Sequence, residues 1–268
     1  MLELYHHGSS VCAAKVRLAL AEKDVAWEGH YVDILAGEQF RPAFLALNPD
    51  AMVPVLVHDG LVVRESTVIN EYVDETFGGV MLRPAASGER AAMRIWTKLV
   101  DEALHPAVAP ITFAVSHRYT LLALSPDKLE AYLRATPDPI HQARKRAWVE
   151  QGLDAPEVRT AITKFARAFD RMEAALADSP WLAGPDYSLA DVALTPYLVR
   201  IEMLGMWDMW KAGHPRVDAW FGRVKARESF EAAVFQHMPL ALRETMLANG
   251  RKAAPELAAI VSGLFEMA

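Results

Sequence analysis

The chain predicts an α/β unit followed by an all-α unit. Two observations carry this: strand-like and helix-like segments alternate through residues 1–80, and beyond them the sequence reads as helix interrupted by Pro- and Gly-containing breaks. A third, the balance of 52% apolar to 23% charged residues in 268, is that of a chain with a sizeable core, divided into one large domain or two smaller ones.

Leu2–Tyr5 is a short strand, and the turn cluster His7-Gly8-Ser9-Ser10 leads into Val11–Lys23, a run of good helix formers. Trp27–Asp33 alternates large and polar residues as a second strand. Phe40, Ala43, Phe44 and Leu47 then recur at helical spacing, and Asn48-Pro49 ends that helix. Val53–Val57 and Leu61–Val63 are apolar runs joined by His58-Asp59-Gly60, whose Asp-Gly pair tolerates the positive φ angles of a tight hairpin. Ser66–Phe77 closes the unit as a helix. The order is β-α-β-α-β-β-α.

Composition excludes several classes. The net charge is −6 and the basic residues are dispersed, so the chain lacks the positive footprint that phosphate-backbone binding needs, and nucleic acid is not an expected partner. Cys12 is the single cysteine, which rules out an internal disulfide framework and fits a reducing, cytoplasmic compartment. The start of the sequence lacks the pattern of a signal peptide. The uncharged run Ala103–Ser116, broken by Pro106 and Pro110, is too short for the roughly 20 residues that span a bilayer, so no membrane association is expected. The histidines lack ligand spacing, so no metal is expected.

Three local patterns, in order and spread over most of the chain, resemble the glutathione transferase superfamily. They are Val53-Pro54 after Asn48-Pro49, the Glu65-Ser66 pair opening a helix just after the hairpin, and Ser188-x-x-Asp191 as a capping box before an apolar helix. The resemblance implies a thioredoxin-like glutathione-binding domain over 1–80, a linker over 81–88 that includes Leu82-Arg83-Pro84, and an α-helical domain over 89–268. It also implies a homodimer. Leu82-Arg83-Pro84, Arg94–Glu102, Thr136-Pro137-Asp138-Pro139 and Arg144-Lys145-Arg146 are similar to bacterial glutathione-dependent β-etherases.

An enzyme using glutathione must stabilise its thiolate, because most of a thiol is protonated near neutral pH. The start of the helix at Val11 offers unpaired N–H groups and a positive dipole end, and Ser9, Ser10 and Cys12 are the side chains available beside it. Counting back from Lys15-Val16-Arg17, Ser10 falls where serine- and cysteine-type members place their catalytic residue. The β-etherases place thiolate-contacting groups at positions matching Cys12 and Ala13, and Ala13 has nothing to donate. A serine there also commonly caps the helix without further role, and a lone helical cysteine is commonly a small buried side chain.

The resemblance assigns Glu65 and Ser66 to the γ-glutamyl end of glutathione, the backbone of Val53 before a cis Pro54 to its cysteinyl unit, and Gln39 to its glycyl carboxylate. Where relatives often carry glycine between Asn-Pro and Val-Pro, this chain has Ala51, from which we expect a turn without positive φ at that point. Candidates for the second-substrate pocket are His7, Phe113, His117, Tyr119, Trp148, Tyr197 and Trp207, with Trp210 also weighed, although aromatic residues at helical spacing usually pack in cores. The stretch Leu121–Pro156 reads as a lid or dimer element. Pro255–Ala268 reads as an apolar tail, either a short helix or a frayed end.

The function implied is glutathione transfer to a hydrophobic, aromatic electrophile, with β-aryl ether cleavage as its specific form. Two rivals stand beside it. One is a glutathione-dependent isomerase of the maleylacetoacetate type, suggested by Ser10-Val11-Cys12. The other is a non-catalytic glutathione-binding or interaction module.

Overall fold

The computed structural model describes residues 1–34 and 36–266. It opens with β1 (Leu2–His6), α1 (Val11–Glu22), β2 (Glu28–Tyr31), α2 (Pro42–Leu45), β3 (Val55–His58), β4 (Leu61–Val63) and α3 (Ser66–Thr76). The sheet order is β2-β1-β3-β4, with β1 parallel to β2 and antiparallel to β3, and β3 antiparallel to β4. Element order and strand pairing are those of the thioredoxin-like unit that the resemblance implies, and helices follow it.

The elements sit where the patterning puts them, with shifts at proline. Val53 and Pro54 stay outside the third strand, because Pro54 brings no N–H to a ladder, and the Val53–Pro54 bond is cis. The helix expected over Phe40–Leu47 is split: a 3₁₀ turn covers Glu38–Phe40, and Pro42, whose fixed φ suits a first helical position, starts α2 anew. Asp59 (φ 49°) and Gly60 (φ 87°) make the positive-φ hairpin, pairing His58 with Leu61. One expectation is overturned: Ala51 has φ 54°, so the turn keeps the left-handed conformation without a glycine.

α1 is buried nearly all round, including Lys15 and Arg17, and packs on α3. Asn70 Nδ2 of α3 donates to the Lys15 carbonyl (3.4 Å), and Lys15 Nζ donates to Thr67 Oγ1 (3.3 Å). After α3, Asp74 organises the connection. Its carboxylate accepts from Leu82 N (2.8 Å), Arg83 N (3.2 Å), Arg83 Nε (3.0 Å) and Lys23 Nζ (3.1 Å), which gives Leu82-Arg83 its structural meaning.

Next come α4 (Ser87–Leu99), α5 (His105–Thr112), α6 (Arg118–Leu121), α7 (Pro126–Arg134), α8 (Pro139–Glu150), α9 (Pro156–Ala175), α10 (Leu189–Met203), α11 (Pro215–Lys225), α12 (Glu228–Phe230) and α13 (Leu240–Glu266). Pro106 and Pro110 do not stop the chain. π-helical turns at Val100–Leu104 and Phe113–His117 flank α5, and this widening relieves the clash and lost hydrogen bond that a proline imposes inside a helix. The Leu121–Pro156 stretch is largely helical, with Asp138 capping α8 through Ile140 N (3.1 Å) and His141 N (3.0 Å). Pro255 lies inside α13; Met267 and Ala268, the end of the expected tail, are outside the described residues.

The chain forms two compact units. The first comprises Met1–Lys98, Ala175–Pro196 and Ala219–Pro239; the second comprises Leu99–Ala174, Tyr197–Asp218 and the chain from Leu240 onward. Among the described residues no helix is long and apolar enough to cross a membrane, and no three His, Cys, Asp or Glu side chains are grouped to hold a metal ion.

Candidate active site

β1 ends at His6, and the chain turns through His7-Gly8-Ser9-Ser10 into α1. Ser10 is the N-cap: its backbone is extended (φ −70°, ψ 120°), and its Oγ accepts from Ala13 N at 3.2 Å. That bond uses only acceptor capacity. A serine hydroxyl also carries one hydrogen to give, so capping and donation to an anion are compatible. The first turn of α1 contains no acidic residue to offset its positive dipole end. Cys12 is half-buried in that turn, and Ala13 is fully buried. Ser9 turns back on its own loop, its Oγ 3.0 Å from His7 Nδ1. His7 is buried against the Tyr31 ring, with centroids 5.2 Å apart.

In α3, which packs on α1, Ser66 is buried at the first position, after Glu65, an exposed residue held at φ 66° and ψ 111°. A non-glycine residue at positive φ costs energy and is met in turns and at functional sites. The start of α3 therefore combines a hydroxyl and helix N–H donors, which suit a carboxylate, with a carboxylate acceptor, which suits an ammonium, the pair of groups on an α-amino acid end. Gln39 sits in the 3₁₀ turn. Its Nε2 donates to the Ile34 carbonyl (3.3 Å), and its buried Oε1 has no partner among the described residues. The open atom is an acceptor for an amide N–H, and the second hydrogen on Nε2 is of the kind a carboxylate accepts.

Residues 9–76 match the family model Glutathione S-transferase, N-terminal domain, and residues 142–223 match Glutathione S-transferase, C-terminal domain. Tetrachloro-p-hydroquinone reductive dehalogenase of Sphingobium chlorophenolicum is 34% identical, over 87% of this chain and 95% of its own. This chain belongs to the glutathione S-transferase family. The crystal structure of the β-etherase LigF from Sphingobium sp. strain SYK-6 superposes with a TM-score of 0.76 at 31% identity, covering 88% of this chain and 99% of LigF. Glutathione S-transferase 3 of Zea mays is 30% identical over 87% of this chain and 93% of its own.

The family's common co-substrate is glutathione. The aromatic candidates divide by burial. Trp148 (2% exposed), Tyr197 (0%) and Trp207 (4%) are packed inside the second unit. Their polar atoms are satisfied there: Trp148 Nε1 donates to Glu157 (2.8 Å), Tyr197 Oη meets His105 Nδ1 (3.2 Å), and Trp207 Nε1 donates to Asp218 (2.8 Å). Trp210 is likewise buried. Phe113, His117 and Tyr119 keep partial exposure. Phe113 lies edge-on to His117 (5.2 Å) beneath the Lys145 ammonium (5.5 Å), and burial, with the fields of Arg200 and Lys145, pulls the His117 imidazole down to about 4.

Sequence reasoning passed over Arg17, His6, Gly8 and His237 as site residues, having used Arg17 only as a counting mark. Two cations inside an otherwise apolar helix, Lys15 and Arg17, were the available signal. His237 gave none, since nothing local ties it to a loop more than two hundred residues earlier in the chain.

Proposed function

We propose that this transferase binds glutathione with its sulfur at the start of α1, stabilises the thiolate with the Ser10 hydroxyl, and delivers it to a hydrophobic, aromatic electrophile. The carrying observation is Ser10 itself: an N-cap whose acceptor is used and whose O–H is available, at the positive end of a helix without an acid in its first turn. Glu65 and Ser66 hold the γ-glutamyl end, the Val53 backbone the cysteinyl unit, and Gln39 the glycyl end. The specific reaction is β-aryl ether cleavage. The thiolate attacks the carbon bearing the aryloxy group, a C–S bond forms as the C–O bond breaks, and the electron pair leaves on a phenolate. Similarity to LigF, titled a β-etherase, supports this reading. Phe113, His117 and Tyr119 are the partly exposed residues offered for the aromatic substrate.

A second reading rests on Cys12. Oxidation of its thiol together with that of glutathione to a mixed disulfide releases two electrons and two protons, and replacing an aryl chloride by hydrogen consumes two electrons and one proton. The 34% identity to a reductive dehalogenase favours this alternative. We place the protein in the cytoplasm as a homodimer by family likeness. The domain division at 1–80 and 89–268 draws support from family matches that fall inside each part.

Turnover of a β-aryl ether ketone, a haloarene, a chlorinated hydroquinone and a cis-diacid separates transfer, reduction and isomerisation; tight glutathione binding with no turnover would favour a binding module. The absorbance of bound thiolate against pH tests the role of Ser10. A hydrogen bond to an anion is worth about 1.5–3 kcal/mol, so Ser10→Ala raises the thiol pKa by roughly one to two units. If Ser10 only caps α1, the change costs about 1 kcal/mol of stability and leaves the titration alone. A shift confined to Cys12→Ala transfers the role to Cys12.

A further inference from the structure

Arg17 is 1% exposed in the interior of the first unit, and each of its three guanidinium nitrogens donates a hydrogen bond. Nε donates to the Ala233 carbonyl at 2.7 Å, one terminal nitrogen to the Gly8 carbonyl at 3.1 Å, and the other to the His7 carbonyl at 3.4 Å and to His6 Nδ1 at 3.3 Å. Every partner is neutral. No carboxylate among the described residues pairs with it, in contrast to Lys23 of the same helical segment, which is buried against Asp74.

Burying a cation with only dipoles around it is costly, and a leucine would fill this face of α1 as Leu18 and Leu20 fill theirs. The arrangement therefore calls for a return beyond packing. What Arg17 holds is the backbone immediately before Ser10. Two of its four bonds end on His7 and Gly8, and the one to Ala233 ties that loop to the Glu231–Phe235 turn, whose chain continues to His237 against Gly8: a Cβ on Gly8 would come within 2.0 Å of the His237 carbonyl oxygen. The loop is gripped on one side and pressed on the other.

We propose that Arg17 is a positioning residue for thiolate formation: it fixes the His7-Gly8 backbone that aims Ser10 and the α1 N-terminus, and lends them a positive charge that no acid cancels. Burial draws its pKa down to about 10, so it remains a cation throughout the neutral range. The bond to His6 Nδ1 requires a neutral imidazole as acceptor, and burial together with the Arg17 charge holds His6 down to about 3. Cation and acceptor roles are thus fixed against each other.

This inference rests on the proposed binding of glutathione at α1, and the experiment separates the two. The thiol of glutathione bound to the full-length protein is titrated by thiolate absorbance in the wild type and in Arg17→Lys, Arg17→Gln and Arg17→Met, with kcat and KM followed against pH. Absence of a lowered thiol pKa in the wild type removes the underlying reading. If the wild type lowers it, Arg17→Met and Arg17→Gln raise the bound thiol pKa by about one unit, a tenfold fall in the thiolate-to-thiol ratio at a given pH. They also lower kcat at neutral pH, with recovery as pH rises and little change in the KM for glutathione. Arg17→Lys, keeping charge but not the fork of bonds, falls between them and the wild type. Should Arg17→Met fail to fold, Arg17→Lys and Arg17→Gln decide. Thiol pKa values equal to the wild type in the folded variants, whatever their loss of thermal stability, overturn the proposal.

Discussion

Ser10 was legible in sequence because a serine before an apolar helix has few local roles; in the structure its Oγ caps α1, and that bond is compatible with the donation proposed for its O–H. Gly8 was read only as part of a turn cluster. Its constraint is steric and long-range, since the space where a side chain would stand is filled by the His237 backbone. Backbone cannot swing aside as a flexible side chain does, so Gly8→Ala forces the loop or the turn beyond Phe235 to move. A displacement of about 1 Å at a reacting group costs on the order of 100-fold in rate. We therefore expect Gly8→Ala to lose about that much kcat while still binding glutathione through α3. Gly78→Ala, where an added Cβ meets nothing within 4 Å, serves as control and leaves the rate unchanged. Equal rates in the two variants would refute the steric account.

At the scale of elements, alternation and turn chemistry placed strands and helices well, and proline moved their edges. The β2-β1-β3-β4 order needed the family likeness, since periodicity carries no pairing information. The capping box at α10 was readable as Ser-x-x-Asp, but only half of what Asp191 does lies in that pattern. Its carboxylate accepts from Ser188 N (3.0 Å), as a box requires, and also from Ser188 Oγ (3.2 Å), Leu182 N (3.1 Å) and Trp220 Nε1 (2.8 Å), of which the last two are announced by no local motif. Asp191 is fully buried, and that burial pushes its carboxyl up to about 6 against the pull of these donors. Removing the acceptor strands buried donors, each worth about 1–3 kcal/mol, so Asp191→Ala should lose at least about 3 kcal/mol in urea unfolding. Asp191→Asn, which turns an N–H₂ toward some of the same donors, should lose less but clearly more than a surface control. A midpoint within error of wild type would mean that the helix is held by packing alone.

At the scale of the whole molecule, the grouping of Ala175–Pro196 and Ala219–Pro239 with the first 98 residues was not visible in sequence, because it depends on contacts between distant segments. One consequence is a pair of imidazoles from opposite ends of the chain, His6 and His237, with ring centroids 5.2 Å apart. Burial, aided by the charge of Arg17, holds His6 down to about 3 and His237 to about 4; in the second unit His117 is held to about 4. Their ordinary value is 6.5, so between about pH 5 and 6 the unfolded chain holds most of three protons at these sites and the folded chain almost none. Asp191 works the other way: raised to about 6, it is protonated in the folded chain before the unfolded one, which offsets one of the three. With two protons in excess on the unfolded side, stability rises with pH there by about 3 kcal/mol per unit, is fully present above about 6.5, and is lost as pH falls toward 4. Urea unfolding at a series of pH values should trace this slope, and His117→Phe should lessen it by the share of one proton. A stability curve flat from pH 7 to pH 5 would show that these imidazoles protonate in place, and that the contacts of His6 with Arg17 and of His237 with the loop do not hold them neutral.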